Sequence, residues 1–229
     1  AVAAAADQKI AEAEARKNQP VLITLPGAQP FNALVDDYTK TDSIWVLVNK
    51  ERAGSIEYIP ADLVRPEVEI RPNATSDEQK IRKVAAEAVY ELFSAARKQG
   101  YSLMVGSAYR SAITQEALFN RYVVTAGLQQ AQRYSARPGH SEHQLGLAVD
   151  ISTTSQNCYL SECFLGTPEG TWLAQNAHMY GFTLRYKQGK EAITGYNFEP
   201  WHYRYVGIPY ATALYESGFT LEEAWPYLE

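Results

Sequence analysis

One segment of the chain concentrates histidine and carboxylate side chains, the residue types that bind metal ions in proteins. It reads Pro138-Gly-His-Ser-Glu-His-Gln-Leu-Gly-Leu-Ala-Val-Asp150. His143 and Asp150 lie seven residues apart, which is too far for one strand face to present both side by side. A turn at Gly146 would nonetheless fold His143 back beside Asp150.

A second segment, Asn197-Phe-Glu-Pro-Trp-His-Tyr203, places a carboxylate three residues before another histidine. Glu199 and His202 would point to opposite faces of a regular strand, so Pro200 between them indicates a break that lets the two converge. Two histidines and one aspartate form a typical catalytic zinc site, with ligands about 2 Å from the metal and a fourth position left for water. Glu199 is then free to act as a base. The candidate zinc ligands are His143, Asp150 and His202.

Apolar spacing and helix caps predict the elements that must position these side chains. Residues 146–152 have the pattern of a strand in which Asp150 faces away from the apolar side. Ser76-Asp-Glu-Gln79 has the pattern of a capping box, and apolar residues at helical spacing follow it until Gly100. Further helices are predicted over residues 114–126, 167–181, 208–216 and from a capping box at 220–223, and further strands over 21–25, 44–48, 103–105, 182–185 and 201–206.

The order of these elements indicates the fold class. Helices and strands mix without a regular βαβ alternation, which favours an α+β fold. We predict a small, partly antiparallel sheet flanked by helices, with the zinc site at the sheet. Residues 1–20 are rich in Ala, Glu, Lys and Gln, so we expect an N-terminal helical arm or stalk there, and one domain over residues 21–229.

Composition and charge exclude several classes of function. Apolar residues make up 46% and charged residues 21% of the chain, which is ordinary for a soluble globular protein. The net charge of -5 disfavours binding to nucleic acid, because such binding depends on basic side chains that release counterions from the phosphates. No apolar run approaches the roughly 20 residues that span a bilayer. We expect membrane attachment only through an N-terminal anchor removed from this sequence.

The two cysteines, Cys158 and Cys163, lie close enough in the sequence to close a small loop. In the chain-entropy model such a disulfide contributes about 2 kcal/mol and favours an oxidising compartment. The alternative is a pair of free, partly buried thiols.

The two metal-binding segments together resemble a family signature. Ser141-x-His143-x-x-Gly-x-Ala-x-Asp150 followed by Glu199-Pro-Trp-His202 is similar to the pattern of the VanY-like zinc D-alanyl-D-alanine carboxypeptidases. The resemblance extends over about residues 45–210, because the segments that flank this signature are similar as well. These flanking segments are Ser107-Ala-Tyr-Arg-Ser111, Tyr134-Ser-Ala-Arg-Pro-Gly139, Gly170-Thr-Trp-Leu173 and Tyr180-Gly-Phe182.

The resemblance implies a role for each matched residue. It places Zn²⁺ on the three candidate ligands and makes Glu199 the general base. Arg110 would bind the terminal carboxylate of the substrate, although a structural ion pair is the alternative for this side chain. Ala108 stands where the family commonly has Gly, a departure that should leave Arg110 in place. The substrate pocket would also be lined by Gln115, Ser135 and Ser141.

The activity that the resemblance implies is removal of the C-terminal D-alanine from peptidoglycan stem pentapeptides, a D,D-carboxypeptidase reaction. Close relatives instead remove the last D-alanine of a tetrapeptide, an L,D cut that needs the same zinc, base and carboxylate-binding group. A catalytically silent cell-wall-binding module with a structural zinc is a third alternative, but structural sites usually close with four ligands. We expect an extracytoplasmic monomer whose partner is a stem peptide ending in D-Ala.

Overall fold

The computed structural model describes residues 20–34 and 38–228, so the predicted arm over residues 1–20 lies outside the described residues except for Pro20. The strands are β1 (Pro20–Ile23), β2 (Phe31–Leu34), β3 (Leu63–Val64), β4 (Ile81–Arg82), β5 (Leu103–Ser107), β6 (Ala148–Thr153), β7 (Phe182–Tyr186) and β8 (Glu199–Tyr205). The α-helices are α1 (Lys83–Lys98), α2 (Ala112–Ala126), α3 (Leu128–Tyr134), α4 (Pro168–Asn176), α5 (Glu191–Thr194), α6 (Ile208–Ser217) and α7 (Leu221–Ala224). Short 3-10 helices cover Glu142–Leu145, Glu162–Gly166, Ala177–Tyr180 and Trp225–Tyr227.

Four strands form the central sheet in the order β5-β6-β8-β7, and every neighbouring pair is antiparallel. β6 lies inside this sheet and is buried along its whole length. Its pairing with β8 places Asp150 directly opposite His202. Two further two-stranded sheets, β1-β2 and β3-β4, are antiparallel as well. The predicted α+β class with a small antiparallel sheet is therefore confirmed.

Apolar side chains from α1 and the central sheet form the main core. Val89 and Leu92 of α1 and Val149 and Ile151 of β6 are all 0% exposed. Each fully buried side chain of this size contributes about 1.5–3 kcal/mol to folding. Because side chains alternate along a strand, this packing commits one face of β6 to the core and leaves the other face for Asp150.

A second core joins the β1-β2 hairpin to the last two helices. The ring of Phe31 stacks on that of Tyr210, with centroids 5.5 Å apart. Leu25 and Leu214 are 0% exposed in the same cluster. The predicted capping box at residues 220–223 is present at the start of α7. The first and last described segments of the chain therefore pack against each other.

The predicted helix start at residues 76–79 is wrong. A reciprocal pair of hydrogen bonds does form one residue earlier, where the Thr75 amide donates to Glu78 Oε2 and the Glu78 amide donates to Thr75 Oγ1. It closes a turn, however, and α1 begins only at Lys83. The intervening Ile81–Arg82 pairs with β3, and the Arg82 amide donates to the Gly146 carbonyl. Sheet pairing thus takes the backbone groups that a longer helix would have used.

The predicted strand over residues 44–48 is also wrong, because this segment is irregular. The guanidinium of Arg204 donates to the carbonyls of Ile44 and Val46, at 3.1 and 2.9 Å. The indole Nε1 of Trp45 donates to the Val206 carbonyl at 2.7 Å. A buried arginine therefore satisfies the carbonyls that a neighbouring strand would otherwise bind.

The remaining helix predictions agree with the structure. Thr167 caps α4 by accepting a hydrogen bond from the Gly170 amide, with proline at the first helical position. The predicted stop at Gly181 comes after a separate 3-10 turn, and Gly181 has a φ of 84°.

None of the helices in the described part of the chain has the length and apolar character needed to cross a bilayer.

Candidate metal centre

A tight turn brings His143 back beside Asp150. The 3-10 helix Glu142–Leu145 ends at Gly146, whose φ is 64° and whose amide donates to the His143 carbonyl. A β-carbon at Gly146 would lie 2.8 Å from Leu63 Cδ2. The backbone conformation therefore favours glycine here, and a β-carbon would also force the Leu63 side chain to shift. His143 Nε2 lies 3.5 Å from Asp150 Oδ2, so the predicted turn is confirmed.

An irregularity in β8 brings Glu199 beside His202. Leu184 pairs with Tyr203, but Tyr186 pairs with Glu199, so β8 contains extra residues between these two points. Such a bulge changes which face a side chain takes, and it contains Pro200, which has no amide to donate to a neighbouring strand. Glu199 Oε2 lies 3.7 Å from His202 Nδ1.

The three candidate ligands converge in a buried cluster. One ligand atom from each of His143, Asp150 and His202 lies within 4.8 Å of the others. Asp150 Oδ1 is buried and has no hydrogen-bond partner among the described residues. Two imidazole nitrogens and one carboxylate oxygen are the donor set that zinc prefers in catalytic sites. The residues present therefore fit a zinc ion.

A hydrogen bond behind His143 fixes which of its ring nitrogens faces the cluster, and His202 lies against the Glu142 carboxylate. His143 Nδ1 donates to the Ala108 carbonyl at 2.5 Å, which leaves Nε2 directed at Asp150. His202 Nε2 lies 3.5 Å from Glu142 Oε2, and its Nδ1 lies 3.4 Å from Asp150 Oδ1. Outer contacts of this kind orient metal-binding imidazoles. The Ala108 contact uses the main-chain carbonyl, so it does not depend on the side chain at position 108.

Glu142 is the residue that sequence reasoning missed. It is 1% exposed, and its Oε1 accepts hydrogen bonds from Arg185 and Arg204 at 2.8 and 2.9 Å. Burial by itself would raise the pKa of Glu142, but the two guanidinium groups hold that pKa well below its usual range. The available signal was its position next to His143, together with the arginines in the predicted strands over residues 182–185 and 201–206.

The electrostatics differ between Asp150, which belongs to the cluster, and Glu199, which lies beside it. Burial raises the pKa of Glu199 to about 8, with the negative Asp150 adding to the effect and His202 opposing it. Burial by itself would also raise the pKa of Asp150, but His143 and His202 hold that pKa below its usual range. Asp150 thus stays ionised, whereas burial makes Glu199 hold its proton more tightly than an exposed carboxyl group does.

Arg110 is held in place by neutral groups. Its Nη1 donates to Gln115 Oε1 at 2.9 Å and its Nη2 donates to Ser107 Oγ at 3.0 Å. Gln115 Nε2 in turn donates to Ser135 Oγ and to the Ala136 carbonyl. No aspartate or glutamate forms an ion pair with Arg110 in the part of the chain that the structure describes. Its charge is therefore available to an anionic ligand.

All the predicted site residues line a single cavity of about 310 Å³. They are His143, Asp150, His202, Glu199, Arg110, Gln115, Ser135 and Ser141. His140 does not line this cavity, and its Nδ1 lies 2.7 Å from the Asn49 carbonyl. Tyr196 also lines the cavity, and its hydroxyl is buried without a hydrogen-bond partner among the described residues. The cavity thus contains the candidate metal-binding cluster and the Arg110 guanidinium, and its wall includes both polar and apolar side chains.

Comparison with known proteins gives consistent matches. The family model described as VanY, D-alanyl-D-alanine carboxypeptidase, matches residues 78–208. The Bacillus subtilis (strain 168) protein YodJ is 40% identical over 222 residues, which is 95% of this chain and 81% of YodJ. The LdcB LD-carboxypeptidase structure has a TM-score of 0.79 and 42% identity, covering 83% of this chain and 89% of LdcB. The structure of a vancomycin resistance D,D-pentapeptidase VanY variant in complex with Zn(II) has a TM-score of 0.61 and 33% identity. The match covers 79% of this chain and 97% of the VanY chain.

Proposed function

Because the chain belongs to the VanY family of D-alanyl-D-alanine carboxypeptidases and is a zinc metallocarboxypeptidase, we propose that it removes the C-terminal D-alanine from peptidoglycan stem pentapeptides. The observation that carries this proposal is the Arg110 guanidinium, which lines the same cavity as the metal-binding cluster and has no ionic partner among the described residues. A planar guanidinium matches the two oxygens of a carboxylate. The site is therefore suited to a substrate with a free C-terminus.

Each residue has a role that its geometry supports. His143, Asp150 and His202 hold the zinc ion, and Arg110 binds the terminal carboxylate with help from Gln115, Ser135 and Ser141. Zinc, when bound, supplies Lewis-acid chemistry that makes water more acidic and a carbonyl more electrophilic. Glu199 accepts the proton of the attacking water and transfers it to the departing amine of D-alanine. Its position in the same cavity, with Oε2 at 3.7 Å from His202 Nδ1, supports this role.

The composition of the cluster supports an enzyme over a silent binding module. In the described residues the metal-binding group consists of three side chains, whereas structural zinc sites usually have four protein ligands. Glu199 lies beside this group, at 3.7 Å from His202, without belonging to it. A chelator should abolish turnover and added zinc should restore it. A passive module would show no hydrolysis under either condition.

A second candidate is the L,D cut on stem tetrapeptides. It is favoured by the higher identity to the LdcB LD-carboxypeptidase, 42%, than to the VanY D,D-pentapeptidase, 33%. Both reactions use the same zinc ligands, base and carboxylate-binding arginine. The difference lies in which residue precedes the cleaved bond, D-alanine for the D,D cut and an L-residue for the L,D cut.

Mass spectrometry of products from defined stem peptides tests these proposals. We expect loss of one alanine from the pentapeptide, whereas loss from the tetrapeptide alone would assign the L,D activity. A pentapeptide with an amidated C-terminus serves as the control, because it offers no carboxylate to Arg110. Hydrolysis of the amidated peptide would contradict the exopeptidase assignment. The disulfide between Cys158 and Cys163 supports an extracytoplasmic location for the reaction.

A further inference from the structure

A disulfide-closed loop contributes to the wall of the metal-binding cavity. Cys158 and Cys163 are bonded, with their Cα atoms 5.5 Å apart. Leu160 lies between them and lines the cavity together with Glu199 and Trp201. Its side chain is 39% exposed, so it is a large apolar group at the mouth of the cavity and not part of the core.

The backbone of this loop has a conformation that residues with side chains rarely adopt. Gln156, Cys158 and Leu160 have φ angles of 58°, 58° and 47°. In the described part of the chain, the one other non-glycine residue with positive φ is Asn73. Such a conformation is unfavourable for L-residues because the β-carbon crowds the backbone, and it persists where the surrounding structure enforces it. Clusters of this kind occur preferentially at functional sites.

Contacts on both sides of Leu160 anchor the loop to the body. The Tyr159 hydroxyl donates to the Gly106 carbonyl at 3.4 Å, and a β-carbon at Gly106 would lie 3.0 Å from the Tyr159 ring. Gly106 precedes Ser107, whose hydroxyl accepts a hydrogen bond from Arg110. On the other side, Phe164 is 1% exposed in the main core. Between these anchors, the disulfide leaves Leu160 directed at the cavity.

The cavity is polar at its buried end and apolar at its mouth. Gln115 and Ser135, which support Arg110, are 1% and 6% exposed. The other apolar and aromatic residues that line the cavity with Leu160 include Leu118, Tyr122, Tyr134 and Trp201. A peptide whose C-terminal carboxylate reaches Arg110 must leave the cavity through this mouth. Its upstream residues then pass the apolar wall.

We propose that Leu160 is a specificity-determining residue, positioned by the disulfide-closed loop, that binds aliphatic groups of the stem peptide upstream of the two residues flanking the cleaved bond. This inference rests on the proposed function, since it assumes a peptide substrate whose C-terminus is at Arg110. It assigns Leu160 to substrate binding and not to the chemical step. Substitution should therefore change KM for long substrates and leave kcat unchanged.

The test compares two substrates in the variant Leu160→Ala. One is the stem peptide, tetrapeptide or pentapeptide, that the wild type cleaves, and the other is the N-acetylated dipeptide with only the two residues that flank the cleaved bond. We expect KM for the stem peptide to rise about fivefold, from the loss of one apolar contact, while KM for the dipeptide and kcat for both change less than about twofold. Leu22→Ala is the matched control, because Leu22 is 64% exposed on β1 and does not line the cavity.

The double variant Cys158→Ser and Cys163→Ser tests the disulfide. We expect the same selective rise in KM, and an unchanged KM would overturn the role of the disulfide in holding Leu160. The disulfide is removed by mutation and not by a thiol reductant, because the thiolates of a reductant would themselves bind zinc. If the double variant does not fold, the exposed position of Leu160 keeps the single variant decisive.

The outcomes separate this inference from the proposed function. Absence of alanine release from every peptide by the zinc-loaded wild type would overturn both. Release by the wild type with an unchanged stem-peptide KM in Leu160→Ala would overturn only the role of Leu160. Equal rises in KM for the stem peptide and the dipeptide would overturn it as well, because they would show a disturbance of the whole cavity.

Discussion

At the scale of single residues, Glu199 combines proximity to the metal-binding cluster with a raised pKa. Glu199→Gln keeps the size of the side chain but removes its ability to accept a proton. We expect kcat to fall by about 10²–10⁴, the usual contribution of a general base, while bound zinc stays near one ion per chain. Steady-state kinetics and metal analysis of the same samples check this. A rate near that of the wild type would mean that another group serves as the base.

Glu142 acts on the site from behind His202. Glu142→Gln removes the charge that faces His202 Nε2, and loss of such an outer contact typically lowers metal affinity by about 10–100-fold. Competition with a chromophoric chelator measures this affinity directly, on variants whose fold has been checked by circular dichroism. We expect a loss in this range for Glu142→Gln.

Glu222→Gln is the matched control for that experiment. Glu222 pairs with Arg185 at 2.7 and 2.8 Å, as Glu142 does at 2.8 Å, but no ion pair joins Glu222 to His202 among the described residues. Zinc affinity should therefore change little in this variant. Equal losses in both variants would contradict a specific effect on His202 and would indicate a general loss of stability.

The convergence of the three candidate zinc ligands could be predicted from the sequence because their chemical types and spacing are restrictive. Zinc chemistry selects imidazole and carboxylate ligands, and the proline and glycine beside them signal the breaks that bring them together. Glu142 could not be predicted in the same way. Its role depends on Arg185 and Arg204, which lie on two strands far along the chain and face it only after folding.

At the scale of elements, the turn at Gly146 determines whether His143 reaches Asp150. Gly146→Ala adds a β-carbon 2.8 Å from Leu63 at a φ of 64°. We expect a loss of about 2–4 kcal/mol in the free energy of unfolding, from the backbone conformation together with overpacking. Zinc affinity should fall as well, because His143 moves relative to Asp150. Urea denaturation and chelator competition measure the two effects.

Gly189→Ala separates the cost of the backbone conformation from the cost of overpacking. Gly189 has a φ of 79°, and a β-carbon there would have no atom within 4 Å. This variant should lose only about 1–2 kcal/mol, the cost of the backbone conformation, and should bind zinc as the wild type does. Similar zinc affinities for the two alanine variants would show that the turn does not position His143.

Elements defined by side-chain periodicity and caps were predictable, but those decided by distant partners were not. The helix over Ala112–Ala126 has its own cap at Ser111 and its stop at Gly127, so local sequence suffices. Residues 44–48 have the composition of a strand, yet the Arg204 side chain binds two of their carbonyls. Likewise, Ile81 continues the apolar pattern of α1, but Ile81 and Arg82 pair with β3. Neither partner could be identified from local sequence.

At the scale of the whole molecule, buried charges link the metal site to the C-terminal helices. Arg185 contacts Glu142 beside the site and Glu222 in α7, and Asn49 donates to Glu222 at 3.2 Å. Glu222 lies beyond residues 78–208, which the family model matches. The support of the site therefore includes segments outside the matched region. Changes in α7 that displace the Arg185 side chain should weaken metal binding, whereas loss of the Glu222 charge alone should not.

Lys187 gives the molecule a pH-dependent stability remote from the metal site. Its ammonium donates to the carbonyls of Leu214 and Phe219, at 2.9 and 2.7 Å, near the end of α6. Burial lowers its pKa from 10.5 to about 8. Between these two values the unfolded chain binds a proton that the folded chain has released, so stability rises with pH across this window and the charged form is penalised below it.

Lys187→Met removes this dependence. The difference in free energy of unfolding between the wild type and the variant should shift in favour of the wild type by about 2 kcal/mol from pH 7.5 to pH 10. Urea denaturation of both proteins at the two pH values measures it, and groups that titrate in both proteins cancel in the difference. Lys98→Met, at the exposed end of α1, is the control for the loss of a surface lysine. A difference that stays constant with pH would mean that Lys187 binds its proton equally tightly in the folded and unfolded chain, in which case its two carbonyl partners compensate for its burial.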